Sequence, residues 1–152
     1  MKLAEALNSR ADLQKRTEAI KQRLLRNAKV QEGDEPAENP MQLLEEFERV
    51  AEELANLMQR INRTNAVTIL EGQLTLSDGL ARREVLKIRN AAYRALAEAA
   101  STTQDRYSRA EIKSVSTVKV SEIQQQADQL AKEYRELDIR LQAANWNTDL
   151  VE

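Results

Sequence analysis

Six charged residues carry most of the chemistry this chain offers: Arg10, Arg82, Arg89, Asp128, Arg135 and Asp138. Periodicity places Arg10 in the middle of the apolar side of a first helix, with Thr17 seven residues on. Arg82 and Arg89, also seven apart, fall inside the apolar side of a third helix. Asp128, Arg135 and Asp138, with Gln142, run along one shoulder of the seam of a fourth. A guanidinium buried without a counter-ion costs several kcal/mol, so these arginines must meet carboxylates or stay wet. One outcome is an internal ion network that sets helix register or subunit contacts. The other is a polar pocket or channel that holds an anion or a nucleotide. Neither identifies a reaction, and no catalytic residue is assigned.

Composition narrows the choice. The 152 residues include no His and no Cys. That removes imidazole acid/base work, thiol nucleophiles, disulfides and Cys/His zinc sites together. Any metal would need a carboxylate cage, and none is expected. The acids Glu45, Glu48 and Glu52 stand on the far side of the second helix and read as a solvated face with Arg49. No cofactor is expected. A net charge of -2 argues against a generally basic nucleic-acid binder. The stripe Arg83, Lys87, Asn90 and Arg94 has no aromatic interleaved and reads as solvated. No apolar run approaches the roughly 18 residues needed to cross a bilayer, and the N-terminus reads as helix rather than as a leader, so a cytoplasmic location is expected.

Long helices must position these residues. Charged residues make up 32% and aromatics 3%, with three Gly and two Pro, a balance that favours helix over irregular structure. The clearest element is Ser121 to Trp146. Ile123, Ala127, Leu130, Tyr134, Leu137, Leu141 and Ala144 recur at steps of four and three, a helical seam. Ser121 with Gln124 is expected to cap it. The spacing predicts further helices over about 2–27, 40–65 and 77–101. Asn39 should cap the second with Pro40 at its first position, and Ser77-Asp78 should open the third. On the second helix, Leu44, Phe47, Ala51, Leu54, Met58 and Ile61 form the seam, widened by Leu43, Val50 and Leu57.

Between the second and third helices, VTILEGQLTL changes period. Folding about Glu71-Gly72 gives a small β-hairpin over about 66–76, with Val67/Leu76 and Ile69/Leu74 sharing a face. The stretch 102–120 opens polar, and IKSVSTVKV (Ile112–Val120) then alternates like a strand. The expectation is one all-α domain over 1–152: a long antiparallel bundle of about four helices with one hairpin. Apolar seams on all four helices, more than one chain buries, point to a homo-oligomer that acts as a scaffold or partner-binding module.

The chain also resembles the septicolysin-like family of small helical bacterial proteins. The resemblance rests on SRADLQKR (Ser9–Arg16), NAKVQEGDEP (Asn27–Pro36), INRTN (Ile61–Asn65), IKSVSTVKV and AKEYRELDIRLQAANW (Ala131–Trp146). It runs nearly end to end and implies an all-helical, oligomeric protein. The family name implies a pore-forming cytolysin. Where that family has Arg-Asp and an apolar residue, this chain has Arg83-Glu84-Val85. Two alternatives therefore stay open beside the scaffold: a membrane-active toxin, and a metal-dependent nucleotide hydrolase or polyanion-binding protein.

Overall fold

The computed structural model describes residues 1–101 and 112–152. Four helices dominate: α1 (Leu3–Arg26), α2 (Pro40–Val67), α3 (Leu76–Ser101) and α4 (Val120–Asn147). A two-stranded hairpin, β1 (Ile69–Glu71) and β2 (Leu74–Thr75), joins α2 to α3. The expected fold class, all-α with a small hairpin, is the one observed. Contacts gather the chain into two compact units, Met1–Ile69 with Ala143–Glu152, and Leu70–Gln142.

In the first unit α1 and α2 form an antiparallel helical hairpin. The Asn39 side chain accepts from the Met41 and Gln42 N–H groups at 2.9 and 3.4 Å, with Pro40 behind it, so α2 opens as expected. Asn27 holds the loop at both ends: its amide donates to the Arg23 carbonyl at 2.8 Å and its Oδ1 accepts from the Glu38 N–H at 3.0 Å. Arg23 then clasps the Glu38 carboxylate with two donors, Nε at 3.1 Å and Nη2. On α2 the core is the edge row Leu43, Val50, Leu57 and Thr64, with Ile61. The row expected to be the seam is left partly outside, with Leu44 41% and Met58 38% exposed. An apolar face that wide cannot be covered by one neighbour. The four buried aliphatics still contribute about 1.5–3 kcal/mol each.

The same unit is closed by its last residues. The Leu3 N–H donates to the Thr148 carbonyl and the Leu150 N–H to the Met1 carbonyl, both at 2.9 Å. Lys2 Nζ meets Asp149 at 2.8 Å. Thr64, fully buried, donates to the Arg60 carbonyl at 2.8 Å and accepts from the Val151 N–H at 3.1 Å. Its buried hydroxyl is therefore satisfied twice.

In the second unit α3 and α4 run antiparallel under the hairpin. The hairpin turn is Gly72-Gln73, one residue later than the Glu71-Gly72 turn the sequence symmetry gave. Gly72 has φ +56°, and no non-glycine residue among those described has positive φ, Gln73 included, the type II′ pattern with glycine first. The shift moves the strands too: Val67 ends α2 and Leu76 begins α3, so neither belongs to a strand. α3 opens on Thr75 rather than Ser77-Asp78. The Thr75 N–H donates to Asp78 Oδ2 at 3.0 Å and the Asp78 N–H to Thr75 Oγ1 at 3.1 Å, a reciprocal box. Inside α3, Gly79 makes room for its neighbours. A Cβ there would sit 2.8 Å from Leu70 Cδ2 and 3.0 Å from Leu141 Cδ2.

The α4 seam is as read from the sequence: Ala127, Leu130, Leu137 and Leu141 are buried, and Ile123, Tyr134 and Ala144 half-buried. Its start differs. The Lys119 carbonyl accepts from the Glu122 and Ile123 N–H groups, so α4 begins at Val120 and Ser121 lies inside its first turn. The expected strand over Ile112–Val120 is absent: residues 112–119 are bends and irregular chain. The Ser116 hydroxyl bonds both the carbonyl and the N–H of Val118, and such local side-chain bonds compete with strand pairing. The rest of the 102–120 expectation falls on residues 102–111, outside the described residues.

Candidate binding groove

The site grows out of the two faces of α3. One row, Leu76, Gly79, Arg83, Leu86, Asn90, Tyr93 and Ala97, recurs at steps of three and four and is buried or, at Arg83, Asn90 and Tyr93, half-buried; Leu86 is half-buried as well. This row faces α4. Two of its polar members, Arg83 and Asn90, are each answered there. Arg83 Nη1 donates to Asp138 Oδ1 at 2.6 Å, and the Asn90 amide donates to the Ala127 carbonyl at 2.7 Å. The inward arginine of α3 is thus Arg83, whose expected place is a solvated stripe.

Arg82 and Arg89, expected inside the apolar side, are exposed. The apolar side expected from the spacing, Val85, Leu86, Ala92, Tyr93 and Leu96, spans two rows, and only Leu86 and Tyr93 lie on the one that packs. Both arginines line one groove in this unit, of about 550 Å³, with Leu74, Val85, Leu86 and Leu137 as its apolar part. Glu133 and Glu136 of α4 line it as well. At one end Arg140 Nη1 and Glu71 Oε2 pair at 2.7 Å. Beside this groove Asp78 is held below the usual carboxylate range, first by the Thr75 N–H, then by the Thr75 hydroxyl, with Arg82 adding to the effect.

The other expected site residues are placed apart. Asp138 is half-buried and pairs with Arg83, so a helix-four acid does meet a helix-three arginine, though a different one. Asp128 is exposed and lines a separate depression with Arg94 and Gln124; Arg135 is exposed beside Lys87 and Tyr134. Arg10 is half-buried on the inward row of α1, in the other unit, where no carboxylate lies within 4.0 Å among the described residues. Of the five that lie in the second unit, Arg82, Arg89, Asp128 and Arg135 are exposed, and among the described residues Asp138 alone takes part in a salt bridge. The exposed arginines are long, solvated side chains whose aliphatic stems cover apolar surface.

Among the described residues the groove lining holds guanidinium, carboxylate and aliphatic groups and no hydroxyl nucleophile. Among those residues, too, no cluster of three or more carboxylates is arranged to hold a metal, and no helix is long and apolar enough to cross a membrane. Arg83 and Asn90, not expected to face inward, carried a signal, the 3-4 row from Leu76 to Ala97 whose polar members need partners; the Arg140–Glu71 pair, which joins α4 to the hairpin, carried none.

Residues 10–150 match the model of a family of unknown function, DUF6847. The chain belongs to the DUF6847 family. No curated protein matches this DUF6847 chain. It is similar to the crystal structure of a functionally unknown conserved protein from Corynebacterium diphtheriae, at 48% identity and a TM-score of 0.92. That similarity covers 99% of each chain.

Proposed function

We propose that this DUF6847 protein is a homo-oligomeric helical scaffold that binds partners through its helix faces and carries no catalytic site. The observation behind this reading is the apolar surface left over after each unit has packed. Met41, Leu44 and Met58 on α2 are 65%, 41% and 38% exposed, and Val85 and Ile88 on α3 are 52% and 59% exposed. Such rows at helical spacing are uncommon on a monomer's surface and ordinary in a symmetric assembly. In this reading Arg82 and Arg89 are contact residues that receive carboxylates, and Arg83–Asp138 is internal structure. Light scattering of the purified protein tests it: a mass that is a multiple of the 17.3 kDa chain is expected. A single-chain mass at every accessible concentration would remove the reading.

A membrane-active role, which the septicolysin-like resemblance implies, has one observation in its favour: Ile112 and Val115 are 84% and 81% exposed. Dye release from anionic and zwitterionic liposomes at neutral and acid pH separates the two. Release by the purified protein would favour the toxin reading, and intact vesicles throughout would eliminate it.

A further inference from the structure

The exposed side of α3 repeats as regularly as its buried side. Ala81, Val85, Ile88, Ala92 and Ala95 follow at steps of four, three, four and three, and all five are exposed. We infer that this row is the seam of a parallel, two-fold coiled coil between α3 and the α3 of a second copy. The inference rests on the self-association proposed above and names its interface.

The assignment follows from the heptad. With Val85 and Ala92 at a, and Ala81, Ile88 and Ala95 at d, β-branched residues occupy the centre of the seam. Alanines flank them and let two helices approach closely. The positions directly opposite the seam are Arg83, Asn90 and Ala97, the ones already engaged with α4 or buried. α3 thus has one face for its own chain and one to spare.

The charges choose the occupant and its direction. Arg82 and Arg89 fall at e and Glu84 at g, all exposed and without a salt bridge within 4.0 Å among the described residues. In a parallel pair each g residue meets the e residue of the following heptad on the other helix. Glu84 then faces Arg89 of the second copy, and symmetry makes the contact twice. In an antiparallel pair e faces e, which sets Arg82 and Arg89 against the same arginines of the copy. Like charges at an interface exclude that arrangement. A surface that is complementary to itself in one orientation calls for another copy of the same chain.

The test is native mass by light scattering, with circular dichroism confirming that each variant stays helical. Val85→Glu with Ile88→Glu, both on exposed positions, should leave the fold intact and halve the mass. Glu84→Arg or Arg89→Glu alone should weaken association roughly tenfold, and the two together should restore it. The chain has no cysteine, so Ala92→Cys introduces a single thiol. In a parallel in-register seam mild oxidation links it to its copy. A wild-type oligomer whose mass survives Val85→Glu/Ile88→Glu overturns this interface and leaves self-association standing. An uncrosslinked Ala92→Cys in an intact oligomer overturns the parallel register. A monomeric wild type removes both readings at once.

Discussion

Arg83 of α3 and Asp138 of α4 meet at 2.6 Å with their side chains about two-thirds withdrawn from solvent. The contact fixes the phase of α3 in its unit, because it is made by the one arginine on the packed face. Removing either partner leaves the other half-buried and unanswered. Arg83→Ala or Asp138→Asn should each cost on the order of 1 kcal/mol in urea denaturation. The double substitution should cost clearly less than the sum, since the two share one interaction. Fully additive losses would mean the pair contributes only packing.

Gly79 should resist a substitution that helices usually welcome. Alanine in place of glycine normally stabilises a helix interior by about 1 kcal/mol. Here the new methyl would meet Leu70 at 2.8 Å and Leu141 at 3.0 Å. Gly79→Ala is expected to give no gain in melting temperature, and Gly79→Val to lower stability by about 1–3 kcal/mol. In a Leu70→Ala background, where one of the two obstructing methyls is gone, Gly79→Ala should recover part of its normal benefit. A plain rise in melting temperature for Gly79→Ala alone would show that the site is roomier than these distances state.

Thr64→Val conserves shape and removes one oxygen. That oxygen accepts from the Val151 N–H at 3.1 Å inside a fully buried site. Its loss strands a buried donor, and the expected cost is about 1–3 kcal/mol. Hydrogen exchange should quicken at the Val151 and Leu150 amides before it quickens in α1 or α2. Unchanged protection there would mean the last residues are held by Leu150 burial and the backbone bridge alone.

Acid should lower stability through three carboxylates held below their usual range. Glu38 is lowered chiefly by its hydrogen bond from Arg23, Asp78 by the Thr75 N–H, and Asp149 by the hydrogen bond from Lys2. A carboxylate lowered on folding binds fewer protons than in the unfolded chain across that window, so stability rises with pH there. Their contribution is complete above the normal carboxylate range, about pH 4, and is lost as pH falls through the lowered values. With no histidine in the chain, the melting temperature should be nearly flat between about pH 6 and 8. Glu38→Gln, Asp78→Asn and Asp149→Asn together should flatten the acid limb. A steep change near neutrality would contradict this account.

Arg10→Ala separates the two roles open to an inward arginine. With no carboxylate within 4.0 Å among the described residues, Arg10 contributes through its aliphatic stem. A loss in melting temperature that does not change with salt is expected. A loss that shrinks in high salt would point to an ionic partner outside the single chain.

The parts of this fold that were legible in the sequence are those where one pattern had no competitor. α4 has a single apolar row, and that row is the one that packs. Asn39-Pro40 admits one reading as a helix start, and it is the observed one. α3 and α2 are different, because each is apolar over more than one neighbour covers. On α3 the expected side, Val85, Leu86, Ala92, Tyr93 and Leu96 with Arg82 and Arg89 inside it, overlaps the packed row only at Leu86 and Tyr93; the rest of that row is Leu76, Gly79, Arg83, Asn90 and Ala97. Only the demand that Arg83 and Asn90 find partners separates the two sides, and that demand is met by α4, far along the chain. The hairpin slipped for a smaller reason. Apolar symmetry around Glu71-Gly72 was outweighed by the need to put glycine first in a turn of positive φ.

The pairing of residues 1–3 with 148–150 has a consequence for chain connectivity. With the Leu150 N–H on the Met1 carbonyl, residues 1 and 150 lie side by side, and a short glycine-serine tether joining these two segments crosses no strained distance. New ends can then open at Gly33, in the exposed loop between α1 and α2, where a Cβ would meet nothing within 4 Å. Such a permuted chain would start in the middle of the present first hairpin and fold to the same helices. The order in which the helices are written is, for this protein, separable from the structure they make.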